Sequence, residues 1–385
     1  MSVLLYAVAA FWLLFTVTAL RNMTAIRPLP SSDDLDRPAT VPTVSVVIPT
    51  RDDGPSIEET IRRFLDQSDV DLQLIVVNDR STDGTHERLQ SLERQHDRLT
   101  AISIETLPDG WLGKTHACHH GAAQANGEWV LFADADTTVT PDVLSRAIRA
   151  GQASAAHHVT LFPGEQRGTR LGHAALIPFG LLVLGHAARA NRDQPLGFSG
   201  VGAFNLVRRE AYDAIGGHEA LRYEVIDDMK LGMLLQRAGF RTRVYLAHDS
   251  VKVRWADSPR AMTRVLSKNG FAMADYSVLI NLVGVVGVTV PWLAGWLGWL
   301  HMSPAGFLAS AAFLTTLLPA AVIGFALGWG PVPVILAPFM TVIIPIAMLR
   351  SMWATLRDGG VRWRDTVYPL DRLRREGVPL LLRRR

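Results

Sequence analysis

Residues 44–85 have the sequence VSVVIPTRDDGPSIEETIRRFLDQSDVDLQLIVVNDRSTDGT. The β-branched run at 44–50 predicts a buried strand, and LQLIVVND at 72–79 predicts a second one. Between them, Ser56 followed by Glu59 forms a capping box, which predicts a helix that continues to about Gln67. A strand, a helix and a strand in this order indicate an α/β domain.

The same alternation continues through the middle of the chain. Further strands are predicted at 99–106 and 129–136, with a helix from Lys114 to Asn126 between them. Thr140 and Pro141 predict the cap and the first position of the next helix. The pattern is typical of a mainly parallel sheet with flanking helices.

Distinctive residues stand where these predicted strands end, namely Pro49 with Thr50, Asp79, and Asp134 with Asp136. In an open α/β sheet, ligands bind outside the carboxyl ends of the strands, so these residues are expected to share one crevice. The GxGxxG and Walker A patterns are absent from the sequence, which disfavours classical dinucleotide binding and P-loop chemistry.

The Asp134-Ala135-Asp136 triplet suggests the chemistry of this crevice. In an extended chain both carboxylates lie on the same side, about 6–7 Å apart. One can then reach a sugar hydroxyl while the other binds Mg²⁺ or Mn²⁺ together with nucleotide phosphates. The alternative is a solvated turn at a strand end.

Four segments in order resemble the family 2 glycosyltransferases, and the resemblance covers about residues 43–270. They are VSVVIPTRDD at 44–53, VVNDRSTDGT at 76–85, GWLGKTHACHHGAAQANGEWVLFADADT at 110–137 and GVGAFNLVRREAYDAIGGHEALRYEVIDDMKLGMLLQRAGF at 200–240. Within the family, they look most like the membrane enzymes associated with hopanoid and carotenoid glycosylation. The resemblance implies a GT-A fold, Rossmann-like in its α/β order, that binds a nucleoside-diphosphate sugar.

The resemblance also implies the roles of the donor-site residues. Asp79 would accept from the nucleotide base, with Pro49-Thr50 beside that base. Asp134 would contact the ribose and Asp136 the metal. Lys114 matches a basic residue of the family that can offset diphosphate charge. The alternative for Lys114 is a solvated lysine in a first helical turn.

Asp227-Asp228 falls where the family has Glu-Asp, whose second acid is the general base of inverting members. Asp228 would therefore take the proton of the acceptor hydroxyl, with Asp227 in support. The alternative is that both aspartates only cap the next helix. Upstream, Gly217 and His218 are expected to line the acceptor pocket, since glycine permits a close backbone approach.

Two further assignments lie near the end of the domain. Lys252-Val253-Arg254-Trp255 resembles the end of the QxxRW motif of processive synthases, but the glutamine is missing, which argues against synthesis of long chains. Arg254 is expected to pair with the diphosphate. The alternative is that Arg254 and Trp255 form an interfacial anchor. His248 is a third possible metal contact.

Apolar blocks flank this domain. Residues 3–20 are uncharged and long enough for a spanning helix of roughly 17–25 residues, so residues 1–22 are interpreted as an anchor. The alternative, a signal peptide, lacks its basic region and cleavage site. Residues 278–349 contain no Asp, Glu, Lys or Arg, and Pro-Gly punctuation divides them into three segments. They predict a membrane region at 277–350 of two to three spans.

Basic residues predict the orientation. Arg21 and Arg27 follow the anchor and nothing basic precedes it, so the amino terminus is expected outside and the domain in the cytoplasm. The single cysteine agrees with a reducing compartment. The arginine-rich tail, 351–385, is expected against cytoplasmic headgroups. Three spans after the domain would place the tail outside, so one segment is expected to be re-entrant or interfacial, or the count differs by one.

The apolar run 176–184 is too short to span a bilayer and predicts an interfacial helix that guides a lipid acceptor, or a core helix. A net charge of +3 is too small and dispersed to indicate nucleic-acid binding.

The sequence thus predicts a multi-pass enzyme of the cell membrane that transfers a sugar from a nucleotide sugar to a lipid or lipid-linked acceptor, with inversion. Polyprenyl-phosphate or polysaccharide glycosylation is the nearest alternative. From other classes, a catalytically silent nucleotide-sugar-binding component is disfavoured by the intact aspartates, and a transporter by the charge-free apolar block.

Overall fold

The computed structural model describes residues 2–36, 40–255, 257–363 and 366–380. Of the predicted basic tail, Arg364 and Arg383, Arg384 and Arg385 lie outside these ranges. The strands are β1 Arg27–Pro28, β2 Thr43–Thr50, β3 Asp71–Asp79, β4 Leu99–Ile104, β5 Trp129–Phe132, β6 Thr138–Val139, β7 His158–Glu165, β8 Asn205–Arg208, β9 Thr242–Val253, β10 Gly360–Trp363 and β11 Thr366–Pro369.

Fifteen α-helices lie in the described ranges. They are α1 Ser2–Met23, α2 Gly54–Leu65, α3 Thr85–Glu93, α4 Gly113–Gln124, α5 Val143–Ala153, α6 Arg170–Asn191, α7 Arg209–Ala214, α8 Asp227–Arg237, α9 Pro259–Asn269, α10 Val278–Leu297, α11 Pro304–Leu314, α12 Leu317–Ala326, α13 Pro331–Met340, α14 Ile343–Arg357 and α15 Leu370–Glu376.

The first nine strands form one sheet in the order β1-β9-β7-β8-β5-β2-β3-β4, and β6 pairs with β9. The β5, β2, β3 and β4 strands are parallel to their neighbours in that half of the sheet. Strand β8 is antiparallel to both β5 and β7. The predicted α/β domain with a mainly parallel sheet is therefore confirmed.

Alternation along the strands produces a core on both faces of the sheet. Val46 and Ile48 pack with the buried side chains of α2, among them Phe64. Val47 points to the opposite face and packs with α4, where Ala117 lies. Because successive side chains of a strand face opposite ways, a strand buried on both sides has a continuous β-branched sequence.

Three predicted boundaries were wrong. Helix α2 begins at Gly54 rather than Ser56, whose hydroxyl donates to the backbone oxygen of Asp53 at 3.0 Å instead of capping the helix. Helix α5 begins at Val143, because the Thr140 hydroxyl bonds to Asp142 at 2.7 Å. Strand β5 ends at Phe132, before the predicted end at 136.

Four helices of the described chain are long and apolar enough to cross a membrane, or up to five if a bent pair counts as one. They are Ser2–Met23, Arg170–Asn191, Val278–His301 and Pro304–Ala326, and the pair is Pro331–Met340 with Ile343–Arg357, bent by 47°. The divisions near His301 and Gly328 match those predicted from the sequence.

Helix α6 is longer than its apolar run suggested, since it contains 22 residues, or about 33 Å. Both of its ends are bonded to the domain. The Thr169 hydroxyl donates to the backbone oxygen of Asp257, and the Asn191 side chain donates to that of Val244 at 2.8 Å. Both ends of the helix therefore lie near β9, but its length and apolar character suffice to cross a membrane, so the prediction that this run is too short to span was wrong.

The bent pair of α13 and α14 also begins and ends near the domain. Just before it, Trp329 stacks on His173 of α6, with ring centroids 4.3 Å apart. Near its end, the Ser351 hydroxyl accepts from the backbone nitrogen of Phe271 at 2.8 Å. This segment starts and finishes on one side of the helical region.

Residues 360–363 and 366–380 fold back onto the sheet domain as a strap, which consists of β10, β11, α15 and the described residues after it. Arg372 bonds Asp109 at 2.6 Å, and Lys230 of α8 donates to the backbone oxygen of Val378 at 2.6 Å. The described part of the tail therefore lies on the same side as the domain.

Candidate active site

The carboxyl ends of β2 and β5 open into a pocket beside the first turns of α4 and α8. Helix α4 supplies Lys114, and α8 supplies Asp227 and Asp228. Asp134 follows β5. The lining residues are Pro49, Lys114, Cys118, Phe132, Ala133, Asp134, Gly202, Asn205, His218, Asp227 and Asp228.

Lys114 is the cation of this pocket. Its Nζ lies 3.0 Å from Oδ1 of Asp134 and 3.6 Å from Oδ2 of Asp227. Burial opposes its charge, but Asp134, Asp227 and Asp228 outweigh burial and hold the pKa of Lys114 well above its usual value. Lys114 is thus a charged bridge between a strand end and α8, not a free lysine in solvent.

Asp227 and Asp228 differ in what holds them. Oδ2 of Asp228 accepts from the backbone nitrogen of Gly202 at 2.9 Å, and Oδ1 accepts from that of Met229 at 2.8 Å. Asp227 faces Lys114 instead. Burial raises the pKa of both carboxyls, and Lys114 only partly offsets it. Asp228 is therefore a fixed carboxylate with an increased affinity for protons.

The Asp134–Asp136 triplet forms a turn, and the backbone nitrogen of Thr137 donates to the Asp134 oxygen at 3.2 Å. The predicted extended geometry is wrong here, because β5 ends at Phe132. Asp134 turns into the pocket towards Lys114, whereas Asp136 lies outside its lining and reaches solvent. Enclosure by surrounding atoms, and then the charge of Asp134, raise the pKa of Asp136 to about 6.

Asp136 fits a hard divalent cation. No ion pair joins its carboxylate to a described cationic side chain, and it lies close enough to Asp134 for their charges to interact. A second possible group, Cys118, His218 and Asp227, has ligand atoms within 4.8 Å of one another. Lys114 lies beside that group and opposes a second positive charge there, and burial keeps Cys118 protonated by raising its pKa.

Asp79 lies buried at the end of β3 and is paired with its neighbour. The guanidinium of Arg80 donates to both carboxylate oxygens, at 2.7 and 2.9 Å. Thr50 at the end of β2 donates to Asp53 at 3.1 Å. The predicted base-binding residues therefore lie on adjacent parallel strands, β2 and β3, with Asp79 already oriented by Arg80.

His218 lines the pocket as predicted for it, and its ring is buried. Its Nδ1 lies 3.0 Å from the hydroxyl of Tyr212, and its ring centroid is 4.4 Å from that of Phe132. Burial lowers the pKa of His218 to about 3, so the imidazole is neutral. Gly217 has a φ of 52°, and a Cβ there would lie 2.6 Å from the Tyr212 ring.

Arg254 and His248 are outside this pocket lining. Arg254 is exposed just after β9. Nε2 of His248 lies 3.1 Å from the Asp249 carboxylate rather than in a described group of metal-ligand atoms. The structure thus brings neither residue to Lys114 and the pocket aspartates.

Two glycines whose backbones lie against the carboxylates of Asp134 and Asp79 were not predicted from the sequence. A Cβ on Gly202 would lie 2.5 Å from Oδ2 of Asp134, and one on Gly113 would lie 2.2 Å from Oδ2 of Asp79. Both glycines stand inside segments that resemble the family, GVGAF and GWLGK, and that is the signal that could have identified them. Only glycine allows the backbone to approach these carboxylates so closely.

The strap also reaches this region. The backbone nitrogen of Gly113 donates to the Tyr368 hydroxyl at 3.2 Å. Tyr368 is separated from Gly113 by 255 residues, so no local pattern could predict the contact. The hairpin thereby packs behind the first turn of α4, next to Asp79 and Arg80.

Known proteins similar to this chain are glycosyltransferases. The model of the glycosyl transferase family 2 matches residues 45–216. The 4,4'-diaponeurosporenoate glycosyltransferase of Staphylococcus aureus strain USA300 is 26% identical over 221 residues, which cover 55% of this chain and 56% of that protein. The homologue of strain MRSA252 is 24% identical over 220 residues. The chain thus spans little more than half the length of these curated relatives.

One solved structure is similar over most of the chain. The mannosyltransferase PcManGT from Pyrobaculum calidifontis, in complex with GDP-Man and Mn²⁺, superposes with a TM-score of 0.55 and 21% identity. The match covers 91% of this chain and 99% of PcManGT, and at this identity it is evidence for the fold alone. Residues 45–216 therefore resemble glycosyltransferase family 2, and the strand order and this common fold show that the domain has a GT-A-like α/β fold.

Proposed function

We propose that the protein is a membrane glycosyltransferase that moves a sugar from a nucleoside diphosphate to a lipid or lipid-linked acceptor, with inversion. The observation that carries this proposal is a group of one lysine and three aspartates beside the end of β5, namely Lys114, Asp134, Asp227 and Asp228, in a domain that matches the family 2 model.

The donor side combines carboxylates with a lysine of opposite charge. Asp79, oriented by Arg80, receives the base, and Asp134 receives the ribose. Lys114 exchanges a carboxylate partner for the diphosphate, because both are anionic oxygen ligands for an ammonium. Asp136 holds Mg²⁺ or Mn²⁺, which when bound supplies neutralisation of the diphosphate charge. Arg254 and His248 are outside the pocket lining. The predicted contacts of Arg254 with the diphosphate and of His248 with the metal would therefore form only if these residues moved towards a bound donor.

Asp228 is the general base. The acceptor hydroxyl loses its proton to the Asp228 carboxylate as its oxygen bonds to the anomeric carbon, and the bond from that carbon to the diphosphate breaks. The nucleoside diphosphate leaves with the electron pair, and the proton passes to solvent. Two backbone donors fix Asp228, and its raised pKa makes it a better proton acceptor. His218 lines the pocket, which supports its role on the acceptor side, and the neighbouring Gly217 is outside the lining.

A lipid acceptor is supported by the helices around the domain. We assign residues 1–22 as the anchor, 43–270 as the catalytic domain, 277–350 as the membrane region and 351–385 as the basic tail. The strap lies on the domain side, and the bent pair starts and ends there. An even number of crossings after the domain, formed by α10 and by α11 with α12, is consistent with both observations. The basic residues after α1 support a cytoplasmic position for that side.

The test is turnover of UDP-, GDP- and dTDP-sugars by detergent-purified protein with membrane lipid extract, with and without Mg²⁺ or Mn²⁺. Asp136→Ala and Asp228→Ala are assayed in parallel, and Asp33→Ala, an exposed aspartate outside the pocket lining, is the control. We expect metal-dependent transfer from one donor that both site variants lose and the control keeps. Folded protein that neither binds nor turns over any donor would contradict the proposal.

A further inference from the structure

A second cavity lies among the apolar helices. Its volume is about 90 Å³, and its lining comes from α1, α6 and α10 to α14. Phe15, Leu181, Gly287, Ala320 and Ile344 represent five of these elements. This volume is smaller than the roughly 300–1,000 Å³ of usual small-molecule sites, so the cavity has room for a narrow chain and not for a bulky ligand.

The lining offers a ligand no free hydrogen-bonding side chain. Its polar side-chain atoms belong to Trp12, Thr316 and Thr341. Trp12 donates to the Pro291 oxygen at 3.0 Å, and the two threonines donate to backbone oxygens within their own helical turns. A polar ligand would lose its water without compensation, whereas a hydrocarbon chain would lose nothing. The cavity therefore selects an apolar chain.

Aromatic side chains join this cavity to the catalytic side of the domain. Two residues after Asp136, Thr138 pairs with Lys252 of β9. Trp255 follows the end of β9, and its ring lies 4.9 Å from that of Phe179. The residue before Phe179 in α6, Pro178, lines the cavity.

The position of Trp255 is fixed. Its backbone nitrogen donates to the Glu165 carboxylate at 3.1 Å. Its indole is partly exposed, as is common for tryptophan at a membrane surface. A chain in the cavity can thus pass Phe179 and Trp255 and carry its polar end towards the aspartates.

We propose that this cavity holds the hydrocarbon chain of the acceptor, while its hydroxyl end extends past Trp255 to the sugar-transfer site. This inference rests on the proposed function, because it identifies where the lipid of that reaction binds. The acceptor chain is the occupant that we propose, and an ordinary phospholipid chain is the competing outcome of the test.

Gly287 provides a selective way to fill the cavity. A Cβ at Gly287 meets no heavy atom within 4 Å, so Gly287→Leu places its side chain in open space of the cavity. Gly180 of α6 is equally open but is outside the described lining, so Gly180→Leu is the matched control. Both changes replace a glycine within an apolar helix, where leucine is favoured.

The experiment uses the full chain in nanodiscs of phosphatidylcholine and phosphatidylglycerol. One arm contains a diazirine-tagged C16 alcohol and the other a diazirine-tagged phosphatidylcholine. Crosslinked peptides are identified by mass spectrometry, and donor hydrolysis and transfer to lipid extract are measured on the same preparations. We expect the alcohol to label α1 and α13. We expect Gly287→Leu to reduce that labelling and lipid transfer at least fivefold, with donor hydrolysis unchanged and Gly180→Leu like the wild type.

Equal labelling of wild type and Gly287→Leu would overturn the inference. So would phosphatidylcholine labelling with the same sensitivity to Gly287→Leu, because the cavity would then be a structural lipid site. Labelling does not require turnover. Failure of the transferase proposal would appear separately, as absence of donor hydrolysis or binding in every preparation.

Discussion

Replacement of Lys114 by methionine removes the cation that bridges two carboxylates. At an effective dielectric constant of 20, its attraction to Asp134 at 3.0 Å is about 5 kcal/mol before the cost of desolvation. Because both side chains are partly open to solvent, we expect only about 1–3 kcal/mol less stability at pH 7. Catalysis should suffer more, because the diphosphate leaving group loses a fixed counter-charge. The expected loss is roughly 10²–10³-fold in kcat/KM.

The same substitution should change the pH dependence of transfer. Asp228 must be deprotonated to act as base, so the rate rises with pH through its raised pKa. Lys114 lowers the pKa of Asp228, and its removal should therefore shift this rise to higher pH. Transfer is measured from pH 5 to 9 beside Lys268→Met, an exposed lysine of α9. A Lys114→Met enzyme within threefold of the wild type, with an unmoved pH profile, would refute this reasoning.

Three further variants test separate parts of the site. Gly202→Ala places a Cβ 2.5 Å from Oδ2 of Asp134, so we expect transfer to fall at least tenfold while the unfolding temperature changes by only a few degrees. Normal activity of this variant would mean that Asp134 and its neighbours move aside without a functional cost. Asp227→Asn should raise the unfolding temperature above pH 7 but not below about pH 4. The pKa of Asp227 is higher in the folded than in the unfolded protein, so its ionisation destabilises the fold at high pH and has no effect at a pH where the carboxyl stays protonated in both states. A change in unfolding temperature that does not depend on pH would contradict this explanation. Tyr368→Phe removes the hydroxyl that accepts from Gly113, so we expect a severalfold higher KM for the donor with kcat retained, and an unchanged KM would show that the strap does not support the donor site.

The sheet could be predicted because its strands carry their own signal. Strands β2 and β3 begin within one residue of the predicted positions, since both consist of β-branched runs buried on two faces. Helix starts were less predictable. The Asp53 carboxylate accepts from the Thr50 side chain and the Arg51 backbone nitrogen, so it binds the preceding turn and does not cap α2.

The site was predictable as a list of residues but not as an arrangement. Asp134, Asp227 and Asp228 stand in segments that resemble the family, yet no pattern shows that Lys114 lies between two of them. The turn at Asp134–Asp136 directs Asp134 into the pocket and leaves Asp136 outside its lining, which no pattern in the sequence shows. Such contacts depend on how distant segments pack, as does the contact of Tyr368 with Gly113.

Sugar transfer into lipid is the most direct test of the proposed function. A nucleoside-diphosphate sugar with a radiolabelled sugar is incubated with membrane lipid extract and purified protein, either wild type or Asp228→Asn, and the label in the organic phase is counted. We predict that the wild type moves label into the lipid fraction with one equivalent of nucleoside diphosphate released per sugar, and that Asp228→Asn is slower by roughly 10²–10⁴-fold. No label in the lipid fraction with any donor, or equal transfer by Asp228→Asn, would contradict the proposed reaction.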